Sequence, residues 1–326
     1  MTHSRFVWLA ILLTSPVLVL TRGPDYTIVK LDTPSGFVVG APSAINARGR
    51  IVGSVGGNAP RAVVWEDMKV IAWDMPPGGS SNAVDINNRG QVVGSGGLWQ
   101  DATLIDGPGI ELGAGMAPAG INESGQIVGL IPTAIAGEFH AALWQNGAIV
   151  DLGVLPGDSA SGAAAINNGG QIVGASEGTA SQVHAFIWDK GKMTELPGLN
   201  GQEGPSTQAL DINNRGQVVG NSGPQPVMWE KGIPIPLDTL PPLTIGKATA
   251  INDNGDIVGF LRSPTSSFSV PVLWQNGKPV TLPMLPTEPD HPNDYIATDI
   301  NNSGTIIGYH LITGFPLPLM WVRNAH

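Results

Sequence analysis

Ile166-Asn167-Asn168-Gly169-Gly170-Gln171-Ile172-Val173-Gly174 joins two short apolar runs through a polar turn. The same frame, Ile-Asn-x-x-Gly-x followed by two β-branched residues and Gly, also begins at Ile45, Ile86, Ile121, Ile212, Ile251 and Ile300. Its seven Asn residues stand 35 to 49 residues apart. An Asn that caps a turn, followed three residues later by a Gly that accepts positive φ, predicts a tight hairpin. Around the quoted copy, Ala163–Ile166 reads as strand 1, Gln171–Gly174 as strand 2 and Val183–Trp188 as strand 3. Asp189-Lys190-Gly191 then turns into strand 4 at Lys192–Leu196. Asn146-Gly147 and Asn276-Gly277 occupy the matching second turn, and Asn-Gly is the strongest short hairpin signal. Each frame is followed by a tryptophan, at Trp65, Trp99, Trp144, Trp188, Trp229, Trp274 and Trp321. Such a four-stranded sheet is apolar on both faces, so neighbours must cover it.

Strand-rich units repeating at a period near 40 are the signature of a propeller, in which sheets set in a ring cover each other's faces. The chain ends support closure. Only five residues follow Trp321, which leaves the seventh unit without a fourth strand, while Tyr26–Leu31 precedes the first unit with nothing to pair with. The expectation is an all-β, seven-bladed β-propeller with four antiparallel strands per blade. Its N-terminal strand, about 26–31, completes the C-terminal blade, and the propeller is a single domain over 23–326. Strand 4 is then outermost. Strand 1 lies at the crowded axis, where the small residues Ala83, Ala163, Ala209, Ala248 and Ala297 fit.

Composition agrees with a turn-punctuated globular chain. The 326 residues include 44 Gly and 28 Pro, yet 42% are hydrophobic and nine are Trp, too apolar for a disordered segment. With 16 Lys+Arg against 26 Asp+Glu, the net charge of −10 argues against nucleic acid and anionic membranes as partners. The absence of cysteine excludes disulfides, thiolate metal sites, a Cys nucleophile and a lipid anchor on cysteine. Met1–Arg5 followed by an apolar run from Phe6 to Leu20 reads as a signal peptide or uncleaved anchor over 1–22. The protein is therefore expected to be secreted, periplasmic or on the cell surface, and monomeric.

The repeated frame, together with His184-Ala185-Phe186-Ile187-Trp188 and His140-Ala141-Ala142-Leu143-Trp144, resembles the HAF-repeat family of bacterial extracellular proteins. The other five units lack the His-Ala pair. The resemblance implies an exported repeat protein and carries no assigned reaction, so it transfers no catalytic residue.

The turns after strands 1 and 3 are short and uniform, whereas the connections after strands 2 and 4 vary in length and share the opposite face. Binding residues concentrate on variable loops held by a rigid scaffold. The expected ligand-binding residues are therefore Phe139, His140, His184, His291, Tyr295 and His310, with protein or glycan as partner. Two other functions compete with this binding role: a lyase or hydrolase at the channel mouth, and a cation-binding structural propeller. No cofactor is expected apart from calcium. Asn252-Asp253-Asn254-Gly255-Asp256 has the look of a calcium loop, but Arg89 and Gly96 stand at the fifth and twelfth positions counted from Asp85, where oxygen ligands belong. Asp85, Asp211 and Asp299, each two residues before a turn Asn, are the candidates for a shared axial cation. Gly174-Ala175-Ser176-Glu177-Gly178 matches a nucleophile elbow in letters, but no helix follows it. The regular spacing of the seven Trp points to packing between blades.

Overall fold

The computed structural model describes residues 19–22, 25–33, 40–56, 60–72, 81–95, 97–100, 103–104, 115–178, 182–199, 206–286, 294–312 and 315–324. Each copy of the frame forms the expected hairpin. In the first, Asn46 Oδ1 accepts from the N–H groups of Arg48 and Arg50, both at 3.0 Å, and Gly49 takes φ +81°. The second turn carries two successive residues at positive φ, such as Asn146-Gly147, Lys190-Gly191 and Lys231-Gly232. That is the two-residue hairpin geometry whose twist matches the flanking strands.

These hairpins build seven antiparallel sheets, each ordered strand 1-2-3-4 outward, and the fold is a seven-bladed β-propeller. Blades 1 to 3 begin with strands Gly40–Ile45, Ala83–Ile86 and Ala117–Ile121. Blades 4 to 7 begin with Asp158–Ile166, Thr207–Ile212, Ile245–Ile251 and Tyr295–Ile300. Closure occurs as the chain ends predict: Tyr26–Lys30 pairs with Phe315–Arg323, with Ile28 opposite Trp321. One addition was not anticipated. Val19–Arg22, inside the segment read as a leader, forms a fifth strand on the outer side of Tyr26–Lys30. Strand 1 of blade 4 also reaches back to Asp158, further than the Ala-rich run suggested, because it keeps pairing as far as Gly178.

The core lies between blades. Ala141 and Leu143 of blade 3 pack with Ile172 and Phe186 of blade 4, and Val29, Ile307 and Met320 of blade 7 pack with Ile51 and Trp65 of blade 1. The last cluster seals the ring from chain ends far apart in sequence.

Every strand 1 carries a bulge at the same place, for example between Ala163 and Ala165 and between Ala209 and Asp211. The bulge turns a carbonyl of strand 1 onto the glycine that ends the frame. A Cβ on Gly174 would stand 2.0 Å from Gly162 O, and one on Gly220 would stand 1.9 Å from Gln208 O. The terminal Gly of the frame is thus required by contact with backbone, since its φ is not in the left-handed region.

Candidate functional site

The propeller presents two chemically different faces. On the face formed by the hairpin turns, the seven frame asparagines close a ring around the axis. Asn46 Nδ2 donates to Asn87 O, Asn87 to Asn122, Asn122 to Asn167, Asn167 to Asn213, Asn213 to Asn252, Asn252 to Asn301, and Asn301 back to Asn46, at 3.1–3.2 Å. All seven Asn residues are buried. A second shell joins the next residues: Ala47 N–H donates to Asn88, Asn88 to Glu123, Glu123 to Asn168, Asn168 to Asn214, Asn214 to Asp253, and Asp253 to Asn302. Ala47 has no side-chain acceptor with which to complete it. These shells line a polar cavity of about 200 Å³ at the axial mouth.

Asp85, Asp211 and Asp299 also act across blade joints. One oxygen of each accepts the N–H of the following residue, and the other accepts from the next blade, at Ile121, Ile251 and Ile45, each at 2.8 Å. Burial in the protein interior pushes all three carboxyls upward, Asp211 to about 6 and Asp299 to about 8; repulsion from the other acids of the trio adds to the rise for those two. With both oxygens occupied by backbone amides, the trio serves as staples. Among the described residues, no group of three or more His, Cys, Asp or Glu side chains is arranged to hold a metal ion. Asn252–Asp256 is a hairpin turn in which Asp253 accepts from Asn214 and Asn302, and these hydrogen bonds hold its carboxyl below the usual range.

The expected ligand-binding residues do not form one cluster. His291 lies outside the described residues. Phe139 opens strand 3 of blade 3 and is exposed. His140, next to it, places Nδ1 3.0 Å from Asp151 of the same blade. His184, at the equivalent position in blade 4, places Nδ1 3.1 Å from Asp158, whose side chain is only 5% exposed. The Ala after each His is fully buried, and its N–H donates to a hydroxyl of the next blade: Ala141 to Ser161 and Ala185 to Thr207. The His-Ala pair is therefore a blade-joining feature with a histidine at its open end.

Tyr295 and His310 lie inside the protein, stacked with ring centroids 4.0 Å apart. Their role follows from the repeat. In blades 4 and 5 a buried serine two residues past the frame glycine accepts an N–H from the preceding loop, Leu155 to Ser176 and Leu199 to Ser222. In blade 7 His310 occupies that position, and Tyr295 Oη takes the amide of Leu285 instead. The same comparison explains Ser176 in the Gly-x-Ser-x-Gly match, a fully buried strand residue that donates to Ala160 O.

Four tryptophans confirm the packing role. Trp65, Trp229, Trp274 and Trp321 are fully buried, and each indole N–H donates to a carbonyl after strand 4 of the preceding blade, at Asp32, Pro197, Asp238 and Pro283. Trp144 and Trp188 are only half-buried, a difference invisible in the repeat itself. Trp144 borders a cavity of about 420 Å³ between blades 2 and 3, on the hairpin face. A larger one, about 630 Å³, lies between blade 6 and the closing strand, lined by Tyr26, Leu282, Met284 and Arg323. Sequence reasoning placed binding residues only on the opposite face and missed both.

No protein-family profile matches the chain, and no curated protein matches it in sequence. Solved structures resemble it in fold. A puromycin-hydrolysing peptidase from Mycobacterium tuberculosis is similar at a TM-score of 0.52 and 10% identity, over 90% of this chain and 53% of that one. A gluconolactonase from Xanthomonas campestris is similar at 0.49 and 9%, over 94% of each. The lectin of Aleuria aurantia is similar at 0.39 and 13%, over 90% of this chain and 96% of that one. The likeness to the peptidase, of which this chain spans about half, extends to the fold alone.

Proposed function

We propose that this chain is an exported, monomeric HAF-type propeller that binds a protein or glycan partner through the face opposite the hairpin turns. One observation carries the reading. Among the described residues the exposed aromatics are Phe139, Phe268 and Phe315, and all three stand where strand 2 passes to strand 3 on that face: Phe268 on the connection of blade 6, Phe139 and Phe315 as the first residues of strand 3 in blades 3 and 7. Ile135, on the connection that leads into Phe139, is exposed as well. Aromatic side chains are enriched in contact surfaces, and this face gathers all three exposed ones. Export rests on the basic start and the apolar run to Leu20; cleavage after residue 22 would remove the outermost strand and keep the closing strand Tyr26–Lys30.

The test is binding of the purified protein to envelope proteins and to a glycan array, repeated with Phe139, Phe268 and Phe315 all changed to Ser, and separately with His140, His184 and His291 changed to Ala. Loss of the bound partner in the Phe variant supports the reading, and undiminished binding in both variants removes it. N-terminal sequencing of the protein recovered from a cell fractionation tests export.

A second reading, a hydrolase or lyase, draws on His184. A buried acid that holds one imidazole nitrogen while the ring stays one-third exposed is the orienting half of a general base. It predicts turnover with a bell-shaped pH dependence that disappears in His184→Ala. Turnover that survives this change excludes it.

A further inference from the structure

We infer that the cavity between blades 2 and 3 on the hairpin face is a binding site for an acidic saccharide, with Trp144 as its platform and Arg89 as its carboxylate partner. The inference starts from a break in sevenfold regularity. Four equivalent tryptophans are fully buried with their indole N–H bonded to the preceding blade, whereas Trp144 is half-buried and its Nε1 has no hydrogen-bond partner among the described residues. One part of the indole packs against the blade 2–3 core that holds Leu98, Ile121 and Ile127, and the rest borders the cavity.

The other walls are rich in donors. Arg89 reaches from blade 2 across to the turn of blade 3, where its Nη2 lies 3.0 Å from the place a Cβ on Gly125 would occupy. Among the described residues its guanidinium makes no ion pair. In three other blades the residue after the Trp is an acid, at Glu66, Asp189 and Glu230. In blade 3 it is Gln145, whose Oε1 accepts from Gln126 at 2.8 Å, so its NH₂ group stays available. Gln91 is held the same way: its Oε1 accepts from Asn87, and its amide nitrogen is left over. Fixed acceptor atoms thus orient two amide NH₂ groups, which stand with a guanidinium and an indole N–H around one apolar plate.

That set suits a pyranose bearing a carboxylate. The C–H face of the sugar covers the indole, the amides meet its hydroxyls, and the guanidinium forks onto the carboxylate. A volume of about 420 Å³ falls in the range of small-molecule sites. Arg48, also without an ion pair among the described residues, borders the adjoining cavity of about 220 Å³, which three arginines line together with Glu66 and Asp67.

The experiment titrates the full chain with trigalacturonate, a mannuronate trimer and sialyllactose, with maltotriose as the neutral control, by calorimetry and by tryptophan fluorescence. At least one acidic sugar is expected to bind, to outcompete maltotriose, and to weaken with added salt. Trp144→Ala should weaken it by about tenfold or more, and Arg89→Gln should abolish the preference over maltotriose. Arg89→Gln and Gln145→Ala alter exposed side chains, so they test the site even where Trp144→Ala unfolds. Absence of saturable binding by all three acidic sugars overturns the inference, as does binding unchanged in Arg89→Gln and Gln145→Ala. The Phe139, Phe268 and Phe315 variant separates this site from the opposite face: its sugar binding should be intact, and loss of sugar binding there would transfer the site to that face.

Discussion

Replacing Gly220 with Ala tests the physical reason for the frame's last letter. The added Cβ would stand 1.9 Å from Gln208 O, 2.9 Å from Gln208 C and 3.2 Å from Ala209 Cα. All three are backbone atoms of strand 1, fixed by pairing on one side and by the neighbouring blade at the axis on the other. Relief requires strand 1 to move away by about 1 Å or more, on the order of the overpacking distortions that cost about 1–3 kcal/mol, and it lengthens roughly two ladder hydrogen bonds worth about 1 kcal/mol each. The expected loss is therefore about 3–5 kcal/mol. Gly232→Ala is the control. Gly232 has φ +78° with nothing within 4 Å of an added methyl, so only the left-handed backbone penalty of about 1–2 kcal/mol applies. Urea unfolding followed by circular dichroism gives both values, with the slope checked for constancy. A Gly220→Ala protein no less stable than Gly232→Ala would refute the bulge explanation.

Asn213→Ala removes the donor to Asn252 O and the acceptor for Arg215 and Gln217 N–H in a buried position, so a loss of about 3 kcal/mol is expected in the same assay; a loss below about 1 kcal/mol would mean the ring is decorative. Deleting residues 24–34 exposes one edge of Phe315–Arg323 and strips the joint of Ile28 and Val29, and the cooperative thermal transition should disappear; its persistence at the parent temperature contradicts closure by this strand. Stability should fall as pH rises. The carboxyls of Asp211 and Asp299 bind protons more tightly when folded, with values of about 6 and about 8 against 3.8, so the folded state holds the extra protons over that interval and loses their contribution as each value is passed. Urea midpoints measured across the interval should decline, and less steeply in Asp299→Asn; a midpoint that climbs from the acidic to the basic end is the opposite sign.

What the sequence disclosed and what it withheld divide along a physical line. Turn chemistry is local, so Asn167 and Gly170 announce their hairpin within four residues, and an unpaired strand at each end of the chain is visible without any knowledge of side-chain contacts. The Asn ring is not local: Asn167 Nδ2 reaches Asn213 O, 46 residues on, and its second use, bonding to a carbonyl at the axis, leaves no separate mark on a residue already explained by its turn. Tyr295 and His310 read as useful chemistry because their letters are rare here. Only the comparison with Ser176 and Ser222, at the same place in other blades, shows that they fill a structural position.

The same limit governs the tryptophans and leads to the division of labour between the two faces. Trp144 and Trp229 stand opposite the same position of their frames, Ile127 and Val218, yet one borders a cavity and the other meets a carbonyl of the preceding blade. A residue's fate at a blade joint is decided by the blade before it, and the blades differ most where strand 4 runs into the next unit. The hairpin turns cannot vary in that way, because each is bonded to both neighbours through the Asn ring, and a change in one would disturb two joints. Variation is therefore confined to the connections on the far face and to the clefts between blades. Those are the two places where Phe139, Phe268 and Phe315 stand exposed and where Arg89 and Trp144 keep donors in reserve.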